Sequence, residues 1–261
     1  MKLIYLFCLI FPLSCMEADD NRPENEEKTK DERPANDDSE PEGEESSENE
    51  ENNEDTTMTN GSISFLALGD SYTIGESVEI AERWPVQLVA ELRERGVEMK
   101  DPEIIARTGW TTAELQGGID NSEVKGPYDW VSLLIGVNNQ YRGYSISIYR
   151  TEFESLLQQA IAFAGGDKGR VIVVSIPDYG VTPFASNSDR AKIAREIDDY
   201  NNMARGFSEA YGVTFFNITP ISREAATKPE YVAEDGLHPS GEMYAAWVQM
   251  ILPHALEILD E

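Results

Sequence analysis

Ser71 stands in the run Gly69-Asp70-Ser71, just after a short apolar stretch at residues 62–68. Far downstream, Asp235-Gly236-Leu237-His238 sets a carboxylate and an imidazole three residues apart across a glycine turn, so one loop can hold both. A serine hydroxyl becomes a nucleophile beside a base that takes its proton. That base in turn needs an acid to fix its tautomer and stabilise its cation. Ser71, His238 and Asp235 supply these three roles. Each also has a plainer reading, since Gly-Asp-Ser is ordinary turn chemistry and His238 could simply sit in a helix-capping loop. The only other histidine, His254, follows Pro253 inside an apolar stretch with no comparable acidic motif. It reads as structural or exposed.

Acyl transfer also needs donors for the oxyanion that develops in the transition state. Two glycine-marked positions offer them. Gly109, in Arg107-Thr108-Gly109-Trp110, lets a backbone N–H approach a ligand closely. Asn138, in Gly136-Val137-Asn138-Asn139, can present a side-chain amide.

The elements that would carry these residues alternate in type. Short apolar runs at 62–68, 103–106, 130–135, 170–176 and 213–217 read as five strands. Helical spacing is found at 84–95, 111–119, 148–164, 188–211 and 240–259. Thr111 or Thr112 suits the N-cap of the second helix, and Gly96 stops the first. Strand three shows little alternation, as expected of a strand buried on both faces of a parallel sheet. Such sheets hold their sites at the strands' C-terminal ends. Ser71, Gly109 and Asn138 follow strands one, two and three. Together with the Asp235–His238 loop they complete the set that acyl transfer requires.

In these blocks the chain resembles the SGNH/GDSL-type hydrolases, and the likeness runs through residues 62–259. Gly69-Asp70-Ser71-Tyr72 matches the family's nucleophile block and Gly109 its glycine block. Gly136-Val137-Asn138 and Asp235–His238 match the remaining two. Many members carry Asp where this chain has Asn139. The resemblance implies an α/β fold, a three-layer α/β/α sandwich on a flavodoxin-like parallel five-stranded sheet of order 2-1-3-4-5. The absence of a Gly-x-Ser-x-Gly elbow around Ser71 separates this from the α/β-hydrolase fold. It also implies a serine esterase with Ser71 as nucleophile, His238 as base and Asp235 as orienter. The oxyanion hole would consist of the Ser71 and Gly109 N–H groups and the Asn138 amide, with no cofactor and no metal. A glycan-binding module without turnover and an acyltransferase on the same fold are the competing expectations.

Composition narrows the partners. The 261 residues carry 21 Lys+Arg against 49 Asp+Glu, a net charge of −28, which excludes a phosphate-neutralising groove and hence nucleic acid. Two histidines and two cysteines at unsuitable spacings do not make a zinc site. Residues 16–60 hold 19 acidic and 4 basic residues and almost nothing to bury, the composition of a disordered spacer. Residues 1–15 place Lys2 before a short apolar run ending Leu13-Ser14-Cys15, which reads as a secretory signal too short to span a bilayer. That ending resembles a bacterial lipobox, although Pro12 occupies the position where Leu is preferred. The implied organisation is a lipoprotein signal peptide at 1–15, an acidic linker at 16–60 and one hydrolase domain at 61–261. Cys15 would carry lipid, so the enzyme would sit in the cell envelope and touch the membrane only through that anchor. The expected substrate is a short-chain acyl ester, acetyl above all, on carbohydrate. In the loops after strands three and four, Tyr141, Arg142, Tyr144, Asp178, Tyr179 and Phe184 could form a sugar platform, a carboxylate clamp or simple packing.

Overall fold

The computed structural model describes residues 62–259. The expected signal peptide, acidic linker and lipidated Cys15 lie outside them. Five strands form one sheet: β1 (Phe65–Gly69), β2 (Glu103–Ala106), β3 (Trp130–Leu134), β4 (Val171–Val174) and β5 (Thr214–Phe216). Their order is β2-β1-β3-β4-β5 with every pair parallel, as the sequence led us to expect. β1, β3 and β4 are buried along their whole length, which is why their sequences are continuous apolar runs. The edge strands β2 and β5 are partly exposed.

Eight α-helices of the described residues connect and cover the strands. In chain order they are α1 (Ser71–Ile74), α2 (Trp84–Glu94), α3 (Thr112–Asp120), α4 (Val137–Tyr141), α5 (Ile146–Phe163), α6 (Arg190–Tyr211), α7 (Thr219–Arg223) and α8 (Gly241–Leu259). Parallel crossovers are right-handed. The step from β1 to β2 runs one way across the sheet and the later steps run the other way, so α2 falls on one face and α3, α5 and α6 on the opposite one. The helix contacts agree: α2 packs on α8, while α5 packs on both α3 and α6. Trp84, Trp130, Trp247, Tyr149, Tyr244, Phe65 and Phe153 are the bulkiest fully buried side chains, and Phe65 stacks on Trp130 at 4.8 Å between ring centroids. Each such burial contributes about 1.5–3 kcal/mol.

The sheet register sets the site. Gly69, the last residue of β1, lies opposite Ala106 of β2 on one side and Leu134 of β3 on the other. Three strand ends therefore come level where Ser71, Gly109 and Asn138 follow. A Cβ on Gly69 would come within 2.1 Å of Thr73 Oγ1 and 2.6 Å of the Leu134 carbonyl oxygen. Only glycine lets the chain turn out of β1 this tightly.

Strand one begins three residues later than its apolar run. Ile63 makes only an isolated bridge to Met99, so residues 62–64 lie outside the ladder. The sequence reading also missed α1, α4 and α7, which are four or five residues long and too short to show a helical period.

Candidate active site

Ser71 opens α1, and the side chain of Asp70 caps that helix by accepting the Tyr72 N–H at 3.0 Å. Asp70 is fully buried and its other carboxylate oxygen has no partner. Burial pushes its pKa up to about 7, against the pull of the backbone N–H groups that favour the anion. Ser71 is 4% exposed. Among the described residues its backbone N–H donates to no protein acceptor, and the same holds for that of Gly109.

The loop from Asp235 to His238 is closed on itself. Gly236 makes the turn at φ +73°. Asp235 Oδ1 accepts the N–H groups of Leu237 and His238 at 2.9 and 3.0 Å. Its Oδ2 lies 2.5 Å from His238 Nδ1 and also accepts the Ser77 hydroxyl at 2.7 Å. Partial burial raises the Asp235 pKa, but the His238 side-chain bond and the other donors outweigh it and bring it down to about 2. The carboxylate is thus an anion at neutral pH. With Nδ1–H directed to it, Nε2 is the free acceptor of the ring.

Ser71, His238 and Asn138 line one cavity of about 120 Å³, with Tyr72, Val137, Leu237 and three further aromatic residues. Among the described residues no hydrogen bond joins the Ser71 hydroxyl to the His238 ring. Asn138 Nδ2 donates one hydrogen to the Trp110 carbonyl at 2.9 Å, which fixes the amide plane and leaves the second hydrogen free. Gly109, at φ +86°, does not line the cavity itself. Its carbonyl accepts Arg142 Nη2 at 2.6 Å, and Arg142 is held in turn by Glu114 at 3.1 Å. Thr111 is the N-cap of α3 and forms a capping box with Glu114. The glycine loop is therefore braced from both sides.

Asn139, where many relatives carry Asp, is fully buried. Its Oδ1 accepts the Thr112 N–H at 3.0 Å and its Nδ2 donates to Thr112 Oγ1 at 2.6 Å. The Thr112 hydroxyl then donates to Glu152. An amide suits this position because it donates and accepts at once. A carboxylate would compete with Glu152 for the one hydroxyl proton.

The aromatic and charged residues of the two loops separate by role. Tyr141, Tyr179 and Phe184 do line the cavity, packed edge-on or tilted with centroids 6.0–6.3 Å apart. Tyr141 and Phe184 are about half exposed at its rim. Arg142 is occupied by Gly109 and Glu114 and is no carboxylate clamp. Asp178 is buried against Arg223 Nε at 2.9 Å. Tyr144 lies over a neighbouring depression with Gln140 and Glu196. His254 is half-buried near Phe216, away from the cavity. The stretch after β3, expected as a loop, is α4. Sequence reading missed Tyr72, Val137 and Leu237 as cavity lining and Ser77 as a partner of Asp235. No spacing rule points to them.

A five-stranded parallel sheet of this order, with serine, imidazole, carboxylate and amide at its C-terminal edge, defines a carboxylic-ester hydrolase of the SGNH fold. The model of the GDSL-like lipase/acylhydrolase family matches residues 67–246, and the chain belongs to that family. Solved structures agree on the fold. The lipase/acylhydrolase from Enterococcus faecalis is 20% identical, with TM-score 0.56, covering 76% of this chain and 96% of its own. The psychrotrophic esterase EstA from Pseudoalteromonas sp. is 16% identical, with TM-score 0.56 and coverage of 76% and 99%. Axe2, an acetylxylan esterase from Geobacillus stearothermophilus, is 19% identical, with TM-score 0.53 and coverage of 78% and 97%. No curated protein sequence matches the chain.

Proposed function

We propose that the protein is a serine esterase that removes short acyl groups, acetyl above all, from carbohydrate esters at the cell envelope, where a lipid on Cys15 holds it. Ser71 Oγ attacks the ester carbonyl as His238 Nε2 takes its proton, and Asp235 keeps the ring oriented and stabilises its cation. The tetrahedral oxyanion is met by the Ser71 and Gly109 N–H groups and the free hydrogen of the Asn138 amide. His238 returns the proton to the leaving sugar oxygen. Water, deprotonated by the same ring, then releases the acyl group from Ser71.

The observation that carries this reading is the cavity itself. Ser71, His238 and Asn138 share one small cavity of about 120 Å³ behind a rim of exposed Tyr141 and Phe184. Aromatic faces at an entrance suit the apolar face of a sugar ring while leaving its hydroxyls in water. The fold accommodates acetyl-ester chemistry on a polysaccharide in one structural neighbour.

The test is an acyl-chain series from acetate to octanoate, run alongside Ser71→Ala. Each methylene buried in an extended pocket would contribute about 0.8 kcal/mol, roughly fourfold in kcat/KM. A flat or falling series is expected, with turnover and fluorophosphonate labelling abolished in Ser71→Ala. A steep rise would overturn the short-acyl reading, and undiminished turnover in Ser71→Ala would remove the nucleophile.

A further inference from the structure

The segment Gly75-Glu76-Ser77, just after α1, touches all three parts of the proposed machinery. The N–H groups of Gly75 and Glu76 both donate to the Ser71 carbonyl at 3.0 Å, so the segment is tied to the nucleophile's own peptide. The Glu76 carboxylate accepts the hydroxyl of Thr108, the neighbour of Gly109. The Ser77 hydroxyl donates to Asp235 Oδ2 at 2.7 Å, the same oxygen that faces His238 Nδ1.

The backbone takes an unusual course to make these contacts. Gly75 and Ser77 are both left-handed, at φ 70° and 66°, and Ser77 is the only non-glycine residue with positive φ among the described residues. L-residues avoid that region because Cβ crowds the carbonyl. Ser77 is exposed, so core packing does not force it there. Strain of this kind persists where the surroundings over-determine it, and it gathers at functional sites. At Ser77 the surrounding constraint is the bond to Asp235.

We propose that Glu76 and Ser77 are positioning residues, a strut that locks the oxyanion loop and the acid–base loop to the nucleophile. Neither lines the cavity. Glu76 acts through Thr108 on Gly109, and Ser77 acts through Asp235 on His238. The inference rests on the triad proposed above.

Ser77→Gly in the full chain separates a positioning role from a merely structural one. Glycine relieves the left-handed backbone and removes the donor together. Thermal stability should change little, because relief of the left-handed backbone offsets the lost hydrogen bond, while kcat on p-nitrophenyl acetate falls about tenfold or more and KM stays within about twofold. Glu76→Ala should likewise lower kcat, and Glu76→Gln, which keeps an acceptor for the Thr108 hydroxyl, should restore it. Fluorophosphonate labelling rates should follow kcat across the series. Wild-type kcat in Ser77→Gly, or a loss that merely tracks melting temperature, would overturn the strut. A wild-type chain left unlabelled, or a Ser71→Ala chain still labelled, would instead remove the triad reading and the strut with it.

Discussion

Asn138→Ala isolates one of the proposed oxyanion donors, and the geometry fixes how much it should cost. Nδ2 spends one hydrogen on the Trp110 carbonyl at 2.9 Å, so a single hydrogen remains for the reacting oxygen. Loss of one such donor in another serine hydrolase costs about 2.7–4 kcal/mol, roughly 100- to 1,000-fold in kcat. The Trp110 carbonyl also loses its partner, which takes about 0.5–1.5 kcal/mol from stability. For a domain of this size that is a fall of a few degrees, on the order of 2–4 °C per kcal/mol. Steady-state kinetics on p-nitrophenyl acetate, with a melting curve on the same preparation, should show kcat down by at least about two orders of magnitude. KM should be nearly unchanged and melting should fall only slightly. Asn138→Asp keeps the shape, removes both donors and places negative charge where the oxyanion forms, so it should be at least as impaired. A loss confined to KM would mean that Asn138 binds the ground state and the transition state equally. A change in kcat of less than about fivefold would remove it from the oxyanion hole altogether, being far below the cost of a lost donor.

Two further expectations address stability and location. Asp70 binds its proton more tightly folded than unfolded, because burial lifts its pKa from the usual 3.8 to about 7. Its favourable contribution is therefore full below about pH 4 and is lost as pH rises through 7, on the order of 4 kcal/mol across that window. Asp70→Asn should flatten this window: the stability difference between variant and wild type should shift in the variant's favour from pH 4 to pH 8, read by denaturant titration at each pH, and a constant difference would mean that Asp70 stays in one protonation state. Cys15→Ser should move the protein from the membrane fraction to the soluble one with specific activity unchanged. A wild-type chain already soluble would refute the lipid anchor.

What the sequence disclosed and what it hid divide along physical lines. β2, predicted at 103–106, matches its strand at both ends because Pro102 and the polar residues after Ala106 bound it. The sequence narrowed the α3 N-cap to Thr111 or Thr112, and the structure selects Thr111, which forms a capping box with Glu114. The Asp235–His238 pair was legible because the chain has only two histidines and this one stands three residues after a carboxylate across a glycine. The Ser77–Asp235 and Thr108–Glu76 contacts were not, since they join residues 158 and 32 positions apart through common side chains with no period. The aromatic loop residues show the same limit. Their types were plain, but only the packing distinguishes Tyr141 at the cavity rim from Asp178 paired beneath the surface.

The closed Asp235–His238 loop has a consequence for how this scaffold diversifies. Asp235 and His238 hold one another within four residues through the backbone donors of their own turn, with Ser77 as the one further side-chain donor to Asp235. The connection after β4, which supplies Tyr179 and Phe184, is pinned to the same turn, since the Phe184 N–H donates to the Gly236 carbonyl at 2.9 Å, whereas Tyr141 comes from the separate connection after β3. The two rim segments are therefore unequal: a change of length after β4 would pull on the imidazole turn, and one after β3 would reach it only through the cavity wall.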